Sequence, residues 1–354
     1  MKNNIYINGM GSISAQNNEE IFTGKVKEYN WNIFPAIDPD YRQFIPPMAL
    51  RRMSKAVKMG FTAAKLALNE SGISFPDAII TGTGQGCKQD TEKFLEEMLG
   101  QDEGLLSPTS FIQSTHNTVG GQIALHLKCN AYNVTYTQNS GSLESALIDA
   151  GLFLQESEEA LNVLAGGVDE ISPTISKFLY RDGQLKREEV SNTRLYDEPS
   201  PGTITSEGAH FFLLSSERKK ETYARLIDID LFHATGSSEV LAQMKKVLGS
   251  NNLSMADVDL VILGNNGDCR YDHFYHKLQQ GAFSQIPQLC YKHLVGDYNT
   301  VSGFAIWLGS RILRSGTLPL IENGNFITPK RLKNILIYNQ YLGENHSIIL
   351  LGAP

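Results

Sequence analysis

Short runs of branched apolar residues, each closed by a small-residue turn and followed by a helix-period segment, fill most of this chain. That alternation restricts it to layered α/β structure. In the first half the runs are Ile5–Ile7, Ala78–Thr81, Asn133–Thr137, Leu161–Ala165 and Phe211–Leu214. Between them, residues 50–70 place Met53, Val57, Phe61, Ala64 and Leu68 at helical spacing, and residues 142–155 do the same with Leu143, Leu147, Ala150 and Leu154. The second half repeats the plan. Val258–Leu263 is a strand ending in Gly264-Asn-Asn-Gly267, and residues 301–313 form a helix after Gly296-Asp297. Ile335–Tyr338 and Ser347–Leu351 make a closing hairpin around Leu342-Gly343. The pattern predicts two pseudo-symmetric halves, 1–217 and 218–354.

Composition narrows the function classes. The 354 residues carry a formal charge of -7, so a generic nucleic-acid binder is disfavoured. No apolar run is long enough for a bilayer span, and the first residues lack the apolar stretch of a signal peptide, so a cytoplasmic protein is expected. Cys87, Cys129, Cys269 and Cys290 are widely spaced and form no CxxC pair, which predicts reduced thiols. Cys269, His273 and His276 lie close in sequence, but nothing nearby completes a metal ligand set, and neither a metal nor any other cofactor is expected.

The segment Tyr136-Thr-Gln-Asn-Ser-Gly-Ser-Leu-Glu-Ser-Ala146 ends a strand and starts a small-residue helix at once. A helix N-terminus offers free N–H groups and partial positive charge, which suits a thiolate or an oxyanion. A plain strand–helix junction looks the same. Likewise Gly264 to Gly267 reads as a tight turn, Asp297 as a helix N-cap and Lys292 as a surface residue when each is taken alone. Cys87, after its glycine-rich turn, has no evident helix N-terminus or base to activate it.

Taken together these stretches resemble the β-ketoacyl-[acyl-carrier-protein] synthase family, a thiolase-like family. Tyr6-Ile-Asn-Gly-Met-Gly-Ser-Ile-Ser14 is similar to its opening strand and glycine turn. Ser107-Pro with His116-Asn-Thr-Val-Gly-Gly-Gln122, Ala165-Gly-Gly-Val-Asp169, the stretch from Asp197 to Gly202, and Ser206-Glu-Gly-Ala209 follow in the family's order. The resemblance implies a five-layered α/β/α/β/α fold from two pseudo-symmetric halves. It places Gln138 at the nucleophilic Cys position, three residues before Gly141. It places Gly264 at the first catalytic His, with Asp272 eight residues on, and Asp297 at the second, in Lys292-His-Leu-Val-Gly-Asp297, with Gly303 at the helix glycine.

No member of the catalytic triad is therefore intact. Glutamine cannot form a thioester, Gly264 has no side chain, and an ionised Asp297 accepts hydrogen bonds but donates none. Lys292 is expected to pair with Asp297 and keep it charged. The segment Asn339-Gln-Tyr-Leu-Gly-Glu-Asn345 resembles the family's oxyanion and gating loop. Tyr341 would take the gating position, and its N–H would complete an oxyanion hole with that of Gln138; Asn139 and Gly343 are further supporting positions. The resemblance implies a non-condensing, chain-length-factor-type subunit that pairs with an active ketosynthase, or with itself, and meets an acyl carrier protein. Pairing would run through the strand Asn133 to Thr137. A Gln-type malonyl decarboxylase, an enzyme with altered acyl-transfer chemistry and a homodimeric acyl-binding protein stay open.

Overall fold

The structure is a computed structural model that describes residues 4–100, 104, 106, 108–197, 199–320, 324–325 and 332–354. Ser107, in one of the matched stretches, lies outside the described residues. In chain order the elements begin β1 (Ile5–Ile13), β2 (Ile33–Phe34), α1 (Pro47–Leu50), α2 (Lys55–Ser71), β3 (Ala78–Gly82), α3 (Lys88–Gly100), α4 (Pro108–Gln113), α5 (Thr118–Leu127) and β4 (Tyr132–Tyr136). Next come α6 (Ser142–Glu156), β5 (Asn162–Asp169), α7 (Pro173–Arg181), β6 (Thr205–Ser206) and β7 (Gly208–Ser215). The remainder comprises β8 (Ala224–His233), α8 (Ser237–Ser250), β9 (Leu260–Leu263), α9 (His273–Gln280), β10 (Gln288–Cys290), α10 (Lys292–Val295), α11 (Ser302–Ser315), β11 (Gly324–Asn325), β12 (Asn334–Tyr341) and β13 (Asn345–Gly352).

The strand order explains the repeat. One series runs β1-β7-β5-β3-β4, with β7 antiparallel to β1 and β5 and the last three strands parallel. The other runs β8-β13-β12-β9-β10 with the same pattern of directions. The two series meet where β1 pairs antiparallel with β8, so ten strands plus β11 form one continuous sheet. β4 stands at one end, and its outer edge pairs with no other strand among the described residues.

Helices α6 and α11 lie between the two series, and each touches strands of both: α6 packs on β3, β4, β5 and β8, α11 on β1, β7, β8, β12 and β13. Side chains alternate accordingly. Ile80, Val163, Phe212, Ile262, Ile337 and Ile349 face the central helices, while Ile79, Leu164 and Phe211 face α2 and α5 on one outside. Val261, Leu336 and Leu350 face α8 and α9 on the other. Strands buried on both faces read as continuous apolar runs, which is why they stood out in sequence. Each fully buried aliphatic side chain contributes about 1.5–3 kcal/mol to this core. The arrangement is the five-layered α/β/α/β/α fold.

Three local expectations change. Gly9 and Gly11 belong to strand β1, not to a turn after it. A Cβ on Gly9 would fall 2.2 Å from the Ala67 carbonyl oxygen, and one on Gly11 1.9 Å from that of Ala63, so glycine is what lets α2 lie on β1. The helix expected over 50–70 breaks after Leu50 and restarts at Lys55, with Ser54 Oγ accepting from Val57 N. Strand β8, Ala-Arg-Leu-Ile-Asp-Ile-Asp-Leu-Phe-His, is absent from the apolar runs of the sequence because its acidic residues interrupt it. Its alternation of apolar and polar residues is nevertheless a strand signal.

Candidate functional site

Gln138 lies two residues beyond the end of β4, after Thr137. One 3₁₀ turn, Asn139–Gly141, leads from it into α6, and Asn139 takes a left-handed conformation (φ 48°), which asparagine tolerates better than most residues. The Gln138 backbone N–H donates to Ser142 Oγ at 2.8 Å, and its side-chain Oε1 accepts from Ser145 Oγ at 2.9 Å. The expectation that this N–H is available to an oxyanion is thus corrected: a helix hydroxyl already occupies it. Gln138 and Asn139 are exposed at the mouth of a cavity of about 220 Å³.

That cavity is also lined by Asp297, Lys292, Tyr341, Asn345 and Asn339. Gly296 adopts φ 68°, ψ -167°, a conformation reserved in practice for glycine, and so throws Asp297 forward before α11. Asp297 is not the helix N-cap. Its backbone N–H donates to the Ile204 carbonyl at 2.8 Å, and its carboxylate receives Lys292 Nζ on Oδ1 at 2.8 Å and Asn266 Nδ2 on Oδ2 at 2.8 Å. Both oxygens are engaged by donors. Lys292 itself is buried, not a solvated surface residue.

Gly264 immediately follows β9 and does not line the cavity. The space its side chain would need holds the Asn339 carboxamide, whose Oδ1 accepts from Tyr291 OH at 2.6 Å. Asp272 accepts from the backbone N–H of Asn266 at 3.2 Å and of Gly267 at 2.9 Å, which fixes the turn after Gly264. Burial pushes the Asp272 carboxyl up to about 6, against those two hydrogen bonds and the field of Lys292. Gly343 lies in the β12–β13 turn with φ 72°. Its N–H donates to Gln340 Oε1 at 2.7 Å, and it shapes the loop without lining the cavity.

Sequence reasoning overlooked Glu144, Gln340, Ser302 and Asn339 as cavity residues. Glu144 is fully buried on α6, where its Oε1 accepts from Ser347 Oγ at 3.1 Å. Burial raises its carboxyl to about 6, opposed by hydrogen bonding and by Lys292. A glutamate one residue after an apolar face position, in a helix of small residues, was the available signal. Asp169 is a second buried carboxylate beside the site. It accepts from Gly84 N, Thr83 Oγ1 and both Thr300 N and Oγ1, tying the Gly84 loop to the turn after Asp297.

Asp297, Tyr298, Asn299 and Tyr341 separate this cavity from a second, smaller one of about 100 Å³ lined by Asn266, Asp268, Thr205 and Ile171. Cys87 is not a displaced nucleophile: it is buried, and burial pushes its thiol up to about 12. No helix among the described residues is long and apolar enough to cross a membrane.

Residues 28–184 match the family model of the β-ketoacyl synthase N-terminal domain. No curated protein matches the chain by sequence. Among solved structures, the ishigamide ketosynthase/chain length factor is similar over 100% of both chains, with TM-score 0.80 and 16% identity. A ketosynthase in complex with its chain length factor from Xenorhabdus doucetiae is similar over 99% of this chain and 98% of that one, with TM-score 0.77 and 14% identity. A type II polyketide synthase acyl-carrier protein in complex with its ketosynthase, bound to the hexaketide, is similar over 100% of both chains, with TM-score 0.75 and 15% identity. At such identities the likeness is one of fold. The chain is β-ketoacyl synthase-like: by family model over residues 28–184, and by fold over its whole length.

Proposed function

We propose that this chain is a non-condensing, chain-length-factor-type subunit that pairs with an active ketosynthase in fatty acid, polyketide or aryl-polyene-type biosynthesis. The halves meeting at Glu217 are both ketosynthase-like in this reading, and the protein works in the cytoplasm. The observation that carries it is the state of the three positions aligned with the catalytic side chains. Gln138 has no nucleophilic atom, its N–H is bonded to Ser142, Gly264 is replaced in space by Asn339, and the Asp297 carboxylate is closed by Lys292 and Asn266. A site so occupied stabilises neither a tetrahedral oxyanion nor an enolate. The neighbours that contain a chain length factor, and the one bound to an acyl-carrier protein, support the choice of partners.

In this role the chain acts by shape. It covers the active subunit's pocket and limits the length of the acyl chain that grows there, while an acyl carrier protein visits the pair. The test is co-expression with the ketosynthase encoded nearest to it, purification through a tag on one subunit, and intact-mass measurement after exposure to an acyl-carrier thioester. The expected result is a stoichiometric pair with acyl adduct on the partner alone. An adduct on this chain, or failure of the two to co-purify, overturns the reading.

A further inference from the structure

Lys177, Arg181 and Arg187 are exposed, and their side chains make no hydrogen bond or ion pair among the described residues. Elsewhere arginines are held: Arg42, Arg270, Arg311 and Arg314 each lie on a carboxylate. The three unpaired cations line one groove of about 820 Å³ between α7 and the segment around β2. On α7, Lys177, Tyr180 and Arg181 stand three and four residues apart, the spacing of one helical face. Trp31 and Ile33 line the groove from the β2 side.

The apolar part of the groove is as unusual as the charged part. Trp31 is 58% exposed, Tyr180 48% and Ile33 38%. A lone exposed apolar side chain is ordinary, but tryptophan and tyrosine ringed by arginine and lysine have the make-up of an interface centre. Charge specifies what fits there. The lining carries the three cations against one carboxylate, Glu189, in a chain whose formal charge is -7. An acidic element is attracted to this groove and repelled by the average surface, which fixes where it docks. Shape specifies the rest. A groove beside a helix takes a rod laid along it, whereas a lipid surface is flat and a small molecule would leave most of these exposed walls uncovered.

We propose that the groove between α7 and Trp31 docks an acidic amphipathic helix of a partner protein, its apolar side on Trp31, Ile33 and Tyr180 and its carboxylates on Lys177, Arg181 and Arg187. The inference stands whether or not β4 pairs with a ketosynthase, because it concerns a surface built from this chain alone.

The probes are a capped helical peptide of about four turns with glutamates along one face and leucines along the next, the same peptide with lysine in place of glutamate, and phosphatidylglycerol vesicles. The chain has two tryptophans and Trp307 is buried, so a change in Trp31 emission reports occupation of the groove. On the full chain the acidic peptide is expected to bind saturably with Kd below about 1 mM at low salt, to change Trp31 emission, and to weaken as salt rises. The lysine peptide and the vesicles are expected not to bind. Arg181→Glu/Arg187→Glu should weaken the acidic peptide about tenfold or more, while Lys245→Glu/Lys246→Glu, the same charge change at exposed positions of α8, should leave it unchanged. Should the first variant not fold, Lys177→Gln/Arg187→Gln serves instead, with a loss of about threefold or more. Unchanged affinity in the groove variants, an equal loss in the α8 variant, binding of the vesicles or of the lysine peptide in place of the acidic one, or no acidic-peptide binding below about 1 mM each overturns the proposal.

Discussion

Asn339 Oδ1 lies where a side chain at position 264 would begin: a Cβ on Gly264 would fall 2.1 Å from it. Gly264 is the residue after β9 and Asn339 lies in β12, the strand parallel to β9, and the carboxamide is held in place by Tyr291 OH. The glycine is therefore a packing requirement as well as a missing catalytic group. Gly264→Ala should cost about 1–3 kcal/mol, as overpacking of a filled site does. In Gly264→Ala/Asn339→Ala the clash is gone, so the double variant should be more stable than the sum of the two singles predicts. Urea denaturation of the four proteins measures this coupling, and strict additivity would show that the close approach carries no energy.

Restoring one letter of the triad should not restore chemistry. In Gln138→Cys the thiol would gain no imidazole, would face the Asp297 carboxylate across the cavity, and would keep its N–H on Ser142. Nearby negative charge raises a thiol pKa, so the thiolate fraction falls. No acyl adduct is expected by intact mass after incubation with an acyl-carrier thioester at neutral pH. Adding Ser142→Ala frees the N–H, and any adduct that appears should appear only in that double variant.

What could be read from sequence, and what could not, divides along the sheet. Strands such as Ala78–Gly82 and Leu260–Leu263 are buried on both faces, so the apolar run alone reveals them. Lys292 and Asp297 are five residues apart, and their pairing follows from that nearness across one turn. Asn339 and Gly264 are far apart in the chain. Only the β9–β12 register brings them together, and that register is set by the whole core. Glu144 was hidden for a related reason. Its helix is covered by strands on more than one side, so a face counted as polar is as buried as the apolar one.

Thiol reactivity should follow exposure. Cys269 is the exposed thiol, while Cys87 and Cys290 are buried with their thiols pushed up to about 12. Iodoacetamide at pH 8 should label Cys269 first, and Cys87 and Cys290 only on unfolding. Peptide mapping by mass spectrometry over time gives the order; early labelling of Cys87 would contradict its packing against Ser54.

Glu170 gives a pH dependence with a definite sign. Burial pushes its carboxyl up to about 7 from 4.5, against hydrogen bonds from Gln89 N and Ala56 N and with the help of Asp90 and Glu207. A folded value above the unfolded one means that the native state holds the proton more tightly. The associated stability is fully present below about pH 4.5 and is lost as pH rises through about 7. Glu170→Gln cannot titrate. Relative to that variant, wild type should therefore be less stable at pH 8 than at pH 5, by about 1–3 kcal/mol. Denaturation of both proteins at the two pH values checks it, and a difference that does not change with pH would place the Glu170 titration elsewhere.

The last prediction concerns the free edge of β4. Strand Tyr132–Tyr136 ends the sheet, pairing with β3 on one side and with no strand on the other among the described residues. Its residues are exposed or half-buried, and Tyr132 stacks on Phe153 with ring centroids 5.5 Å apart while its hydroxyl donates to Asp149. An edge without lysine, proline or bulge protection invites pairing with another chain. In the proposed assembly two such edges run antiparallel across a two-fold or pseudo-two-fold axis, and Tyr136 lies in the seam beside the mouth that exposes Gln138. Tyr136→Asp would bring a carboxylate into that seam next to Asp149, the neighbour that already raises the tyrosine hydroxyl, after burial. An unpaired buried charge costs several kcal/mol, enough to lower association by about a hundredfold or more. Light scattering at micromolar concentration should show the mutant shifted toward monomer, both alone and with the co-expressed ketosynthase. Secondary structure by circular dichroism should stay unchanged, because the edge strand's own ladder to β3 is untouched. A mutant with the wild-type oligomeric mass would move the interface away from β4, and a wild type that is monomeric even with its candidate partner would remove the pairing altogether.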